Sequence, residues 1–217
     1  ACVWSPDPRL DTDPGSSYSP GAEGVEAGSA GPGAGAEHGR STTREGAMDL
    51  FETITTRCSV RAFLGEPLPA GGLDRILEAV NRAPSAGDLQ AYEVYLVQDT
   101  GLKEALVHAA YEQTFIEQAP AVLVFCSNPA RAKRYGERGA SLYCVQDATI
   151  AAAYAQLAAT ALGLATVWVG AFDEAKAVAA LRLPAGQRPL VILPVGKPAE
   201  SPAPTPRRNL DELIHRL

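Results

Sequence analysis

Between Ala148 and Phe172 the chain carries no charged residue, and the stretch from Leu142 to Leu162 puts alanine on nearly every face of the helix it predicts. A helix that is apolar all round has to be buried on several sides. Membrane insertion is a poor account of it, because alanine contributes little and Thr149, Gln156 and Thr160 interrupt the run. Gly163 stops the helix, and the β-branched residues that follow read as a buried strand at 165–170. One small sheet in a domain spanning residues 48–217 cannot cover such a helix on every side. The sequence therefore predicts a homodimer in which a two-fold axis pairs this helix with its own copy, small alanines allowing close approach.

Periodicity places the remaining elements. Asp49 with Glu52 reads as a capping pair opening a short helix. Leu73, Ile76, Leu77 and Val80 form one helical face that ends near Ala83-Pro84. A strand over Val94–Val97, a helix over 101–111, a strand from Ala121 to Cys126, a helix over 173–182 and a strand from Leu190 to Val195 follow, with a short C-terminal helix from Asn209. Helices and strands do not alternate strictly, so the expected fold is an α+β sandwich around one small sheet. Residues 129–140 are basic and punctuated by glycine, an exposed helix or a lid.

Residues 1–47 are of another kind. They hold nine glycines and five prolines, with only Val3, Leu10 and Val25 as large aliphatics. Such a segment buries too little surface to offset its ordering entropy and is expected to be disordered and of low complexity. Met48 is the only methionine in the chain and the expected natural start; the alternative is a genuine flexible tail ahead of the domain at 48–217.

Three short clusters carry the chemistry. Arg57-Cys58-Ser59-Val60-Arg61 follows the first helix, Pro84-Ser85-Ala86-Gly87-Asp88-Leu89-Gln90 follows the second, and Pro206-Arg207-Arg208 lies near the C-terminus. Arginine offers a planar fork of donors that matches phosphate, and serine adds a hydroxyl. A fourth stretch, Trp168-Val169-Gly170-Ala171-Phe172, joins a strand to a helix, and glycine there lets backbone approach a ring closely. Taken singly, each has a plain structural reading: a capped helix end, a turn, a strand end, a solvated tail.

Together, in this order and spacing, R-x-S-x-R-x-F, A-P-S-A-G-x-x-Q, the alanine-rich helix, G-L-A-T-V-W-V-G-A-F and P-V-G-x-P followed by P-R-R resemble the nitroreductase family of FMN-dependent oxidoreductases, from Met48 to Leu217. The resemblance implies a nitroreductase-like sandwich whose small mixed, mainly antiparallel sheet is flanked by helices. It implies FMN between two subunits and NADH or NADPH as reductant. A small electron-poor acceptor such as a nitroaromatic or quinone would be reduced by a ping-pong mechanism. Alternatives within the family are dehalogenation, heterocycle oxidation or flavin cleavage; outside it stands a flavin-binding protein without turnover.

By the same resemblance Arg57 and Ser59 reach the phosphate and ribityl chain, Cys58 contributes backbone, and Arg61 sits at the pyrimidine edge, where positive charge favours the reduced flavin. Pro84, Ser85, Ala86, Asp88 and Gln90 form the second flavin loop. The family often has asparagine where Asp88 stands; ionised aspartate only accepts, which suits a ring N–H but opposes a reduced, anionic ring. Val169, Gly170 and Ala171 border the flavin ring, the amides of Gly170 and Ala171 facing it, and Arg207 and Arg208 close the phosphate site. No residue is assigned to catalysis, the chemistry being the cofactor's.

Composition excludes several classes. The net charge is −6, of which residues 1–47 carry −4, so the domain itself is close to neutral. Neither nucleic acid nor an anionic membrane is an expected partner. Cys2, Cys58, Cys126 and Cys144 show no metal or disulfide spacing, and Cys126 and Cys144 read as buried core thiols. No metal site is expected, and the cysteine usage fits a cytoplasmic location better than a secreted one. Arg131, Lys133 and Arg134 read either as a solvated basic face or as a site for an anionic substrate or the NADPH 2′-phosphate.

Overall fold

The computed structural model describes residues 48–217; the expectation for residues 1–47 lies outside them. Helix α1 (Leu50–Thr56) opens on Asp49, whose carboxylate accepts the Glu52 amide at 2.9 Å. Helix α2 (Gly72–Asn81) buries Ile76 and Val80. Strand β1 (Tyr92–Val97), α3 (Thr100–Ala109), α4 (Phe115–Gln118) and β2 (Ala121–Ser127) follow. A basic segment then coils through a 3-10 stretch (Pro129–Tyr135), the single turn α5 (Gly136–Arg138) and a π turn (Gly139–Tyr143). The long α6 (Cys144–Ala161), β3 (Ala165–Thr166), α7 (Glu174–Leu181), β4 (Arg188–Gly196) and α8 (Leu210–Leu213) complete the described chain.

The four strands lie in the order β1-β2-β4-β3, all antiparallel, with one isolated parallel bridge between Ser59 and Thr166. This is the expected α+β sandwich with helices flanking a small sheet, and the mainly antiparallel sheet that the resemblance implies is antiparallel at every strand pairing. Both faces are covered, so β2 is buried at every position rather than at alternate ones. Val122, Val124 and Cys126 join Leu106, Val107 and Ala177 on one face, contributed by α3 and α7. Leu123 and Phe125 join Ile76, Val80 and the alanines of α6 on the other.

Ala148, Ala151, Ala152, Ala155 and Ala159 form the stripe of α6 against the sheet. Gly163, at φ +70, ends the helix: its amide bonds the Thr160 carbonyl and the Leu164 amide the Ala159 carbonyl, both at 2.9 Å, the paired bonds of a Schellman stop. The expected start at Leu142 moves to Cys144, because the preceding turn is π-wound. There Gly139 packs where a Cβ would stand 2.3 Å from the Ala132 carbonyl oxygen.

The strand expected at 165–170 is broken. Ala165 pairs with Gly196, Thr166 with Val195 and Val169 with Ile192, in one unshifted register. That register sets Pro194 opposite Val167, and proline has no N–H to give the ladder. The interruption lies in the partner strand, not in residues 165–170.

Candidate functional site

Two of the sequence clusters meet along the outer sheet edge. The Val60 amide donates to the Thr166 carbonyl at 3.1 Å, which lays the Arg57–Arg61 segment beside β3. Three residues further on, Val169 exchanges two 3.0 Å hydrogen bonds with Ile192 and is 2% exposed. The chain then turns outward, leaving Gly170 and Ala171 exposed, and their amides have no hydrogen-bond partner among the described residues. The Ala171 carbonyl is held by Gln113 at 3.0 Å.

A cleft of about 180 Å³ opens here between Arg57, Cys58, Thr160, Gly163, Pro198 and Glu200. Arg57 and Ser59 are half-buried and Arg61 is exposed. The guanidinium groups of Arg57 and Arg61 pair with no carboxylate among the described residues. Of the predicted residues Arg57 and Cys58 line that cleft. Ser59 and Arg61 flank them in the same segment, and the free amides of Gly170 and Ala171 lie four and five residues beyond Thr166 on the same edge, donor types that suit a phosphorylated, electron-rich ligand. Glu200 is an unforeseen neighbour, its carboxylate accepting the backbone amide of Arg61.

The second loop is built differently. Ser85, Ala86 and Gln90 are half-buried, whereas Pro84 and Asp88 are exposed. Gly87, Asp88 and Gln90 are left-handed, at φ 55°, 55° and 46°. The Ser85 hydroxyl accepts the Gln90 amide at 2.9 Å, and the Gln90 side chain donates back to Asn81 at 3.1 Å. The carboxylate of Asp147, 2% exposed on α6, accepts the amides of Ala86 at 2.9 Å and Ala91 at 3.1 Å. A groove of about 550 Å³ runs along this loop past Tyr143, Gln146 and Ile150.

The two halves do not meet within the one chain. The loop is anchored at Asp147 and the arginine cleft at Thr160, thirteen residues apart on the same helix, which is about 20 Å at 1.5 Å per residue. Arg207 and Arg208 lie on an arm exposed at every residue from 203 to 217; Arg207 bonds Thr205 at 2.7 Å and Arg208 the Glu212 carbonyl at 2.6 Å.

Residues 54–114 and 100–197 match the Nitroreductase family. The chain belongs to the nitroreductase family. Among curated relatives, the FMN reductase [NAD(P)H] of Bacillus subtilis (strain 168) is 34% identical over 182 residues, 77% of this chain and 73% of that protein. The oxygen-insensitive NADPH nitroreductase of Salmonella typhimurium is 29% identical, covering 76% of this chain and 74% of its own. Among solved structures, the NADPH:FMN oxidoreductase from Vibrio harveyi complexed with NAD+ superposes with a TM-score of 0.72 at 27% identity, covering 77% and 76% of the two chains.

Sequence reasoning missed Asp147, Glu200 and the role of Arg131. The signal for Asp147 was available: a lone acid opening an otherwise uncharged nitroreductase helix is costly to bury unless it holds something. Arg131 read as a solvated cation or an anion site, yet its Nε donates to the carbonyls of Leu89 at 3.1 Å and Gln90 at 2.9 Å. The thiols behave as expected for core residues: burial pushes Cys126 up to about 12, helped by nearby Glu93, and also raises Cys144. His108, expected on a surface helix, is exposed and bonds Glu112 at 2.9 Å. No helix among the described residues is long and apolar enough to cross a membrane.

Proposed function

We propose that this chain is an FMN-dependent NAD(P)H oxidoreductase that reduces small electron-poor acceptors, nitroaromatics or quinones, and works as a homodimer. The observation that carries the reading is the packing of the Arg57–Arg61 segment beside β3, with Arg57 lining a cleft there, while Gly170 and Ala171 further along the same edge offer free amides. The names and structures of the relatives support the same chemistry.

When bound, FMN supplies hydride acceptance from NAD(P)H and electron delivery to a second substrate in the same cleft. The protein's part is binding and orientation. Arg57 and Ser59 hold the phosphate end, with backbone of Cys58; Arg61 brings positive charge to the ring; Val169 fixes the strand that aims the Gly170 and Ala171 amides. The C-terminal arm brings Arg207 and Arg208 to the phosphate, since Pro202, which lines the cleft, is five residues from Arg207, a reach of about 17 Å when extended.

The loop with Pro84, Ser85, Ala86, Asp88 and Gln90 reaches that ligand from the second copy. Its separation from the arginine cleft along α6 supports this, as do the apolar surfaces a single protomer leaves open. Phe51 is 79% exposed and Leu210 71%, and Ile150, Tyr154 and Leu157 on the outer face of α6 are only partly covered. Exposed apolar side chains on these elements support an interface between copies.

The test is the purified protein itself. It should be yellow with a stoichiometric flavin band, oxidise NADH or NADPH only when a quinone or nitroarene is present, and sediment as a dimer. A colourless protein that does not take up added FMN, or a monomer that keeps flavin and turnover at nanomolar concentration, would refute the proposal.

A further inference from the structure

The loop between Pro84 and Ala91 is held from opposite sides by a buried acid and an arginine, and the two meet through one peptide group. The peptide joining Gln90 to Ala91 gives its carbonyl to Arg131 Nε at 2.9 Å and its N–H to Asp147 Oδ2 at 3.1 Å. Asp147 Oδ1 accepts the Ala86 amide at the other end of the loop, and Arg131 Nε also donates to the Leu89 carbonyl. Cation, peptide dipole and anion are therefore aligned head to tail.

The backbone so held is one the chain resists. Asp88 and Gln90 carry side chains in left-handed conformation beside Gly87. Such geometry persists only where the surroundings over-determine it, and it concentrates at ligand-binding sites. Arg131 comes from the basic segment and Asp147 from the first turn of α6, so neither belongs to the loop it constrains.

We propose that Asp147 and Arg131 are positioning residues that hold this loop in its ligand-facing form. The inference rests on the flavin reading above. Asp147 offers two acceptor oxygens to two amides; asparagine offers one and turns a donor toward the other amide, so Asp147→Asn must break one end of the clamp.

The experiment uses the full chain. Backbone hydrogen exchange is measured without flavin, then FMN affinity and the visible circular dichroism of bound FMN. In Asp147→Asn the Ala86 or Ala91 amide should exchange at least about tenfold faster while the β4 amides keep their protection. The FMN dissociation constant should rise about 10- to 100-fold, with an altered flavin dichroism. Unchanged loop exchange, or equal loss across the whole sheet, would overturn the clamp. Faster loop exchange with unchanged FMN affinity and dichroism would show a purely structural clamp and overturn the positioning role, while leaving the flavin reading intact. A wild-type protein that binds no FMN fails that reading and the positioning role with it. If Asp147→Asn does not fold, Arg131→Gln, on the exposed side, carries the same comparison. It should speed Ala91 exchange and weaken FMN about 3- to 10-fold, and wild-type values for both would overturn the proposal.

Discussion

Gly87→Ala should be among the most damaging small substitutions in the domain, for two separable reasons. Residue 87 sits at φ +55, and a Cβ there would stand 2.2 Å from the Tyr135 hydroxyl oxygen, 3.2 Å from Cζ and 3.4 Å from Cε2. Left-handed backbone costs an L-residue about 1–2 kcal/mol, and the overlap adds about 1–3 kcal/mol as overpacking. Tyr135→Phe removes only the atom at 2.2 Å. That hydroxyl has no hydrogen-bond partner among the described residues, so the single change should be nearly neutral. The double variant should then retain only the backbone cost of about 1–2 kcal/mol, because the remaining ring carbon needs to yield a few tenths of an ångström. Equilibrium denaturation of all four proteins at one protomer concentration measures this, with unfolding midpoints converted at constant slope. The expected coupling is about 1–3 kcal/mol, or several degrees in melting temperature for a domain of this length. Additive effects would show that Tyr135 does not press on the loop and that the whole cost of the alanine is backbone.

Arg57→Ala should weaken FMN binding about 10- to 150-fold, the worth of one charge-assisted phosphate contact, and more than Arg208→Ala does; equal retention of flavin by both would place the phosphate elsewhere. Asp88→Asn should tighten binding of reduced FMN and raise its midpoint potential, since it removes a negative charge from a residue whose left-handed φ of 55° asparagine tolerates well; a lowered potential would contradict that placement. The Arg188 hydrogen bonds at 2.8 and 2.6 Å hold Glu174 below its ordinary value of 4.5. Their stabilisation is present above the unfolded carboxylate's value and lost as pH falls through the lowered folded one. With side chains 59% and 45% exposed, the pair contributes under about 1 kcal/mol. Glu174→Gln should therefore cost a few tenths to about 1 kcal/mol at pH 7 and nothing at pH 3, and a gap independent of pH would dismiss the ion pair as its cause.

What the sequence determined by itself is what depends on near neighbours along the chain. The alanine helix, its stop at Gly163, the Asp49 cap and the face of Ile76 and Val80 all follow from spacings of a few residues, because helical turns and caps close over three or four positions. The ordered motifs around Arg57, Ser85 and Gly170 likewise point to one family without any contact being known. Tertiary structure decided what depends on residues far apart. Val167 falls out of the ladder because Pro194, in another strand, has no proton to give. Asp147 reads locally as the last charge before an apolar run; only folding brings it under Ala86 and Ala91, and brings the exposed Arg131 onto the same loop. Side-chain purpose of that kind is set by which backbone groups arrive opposite, and the arrival is a property of the packed sheet and helices rather than of any local pattern.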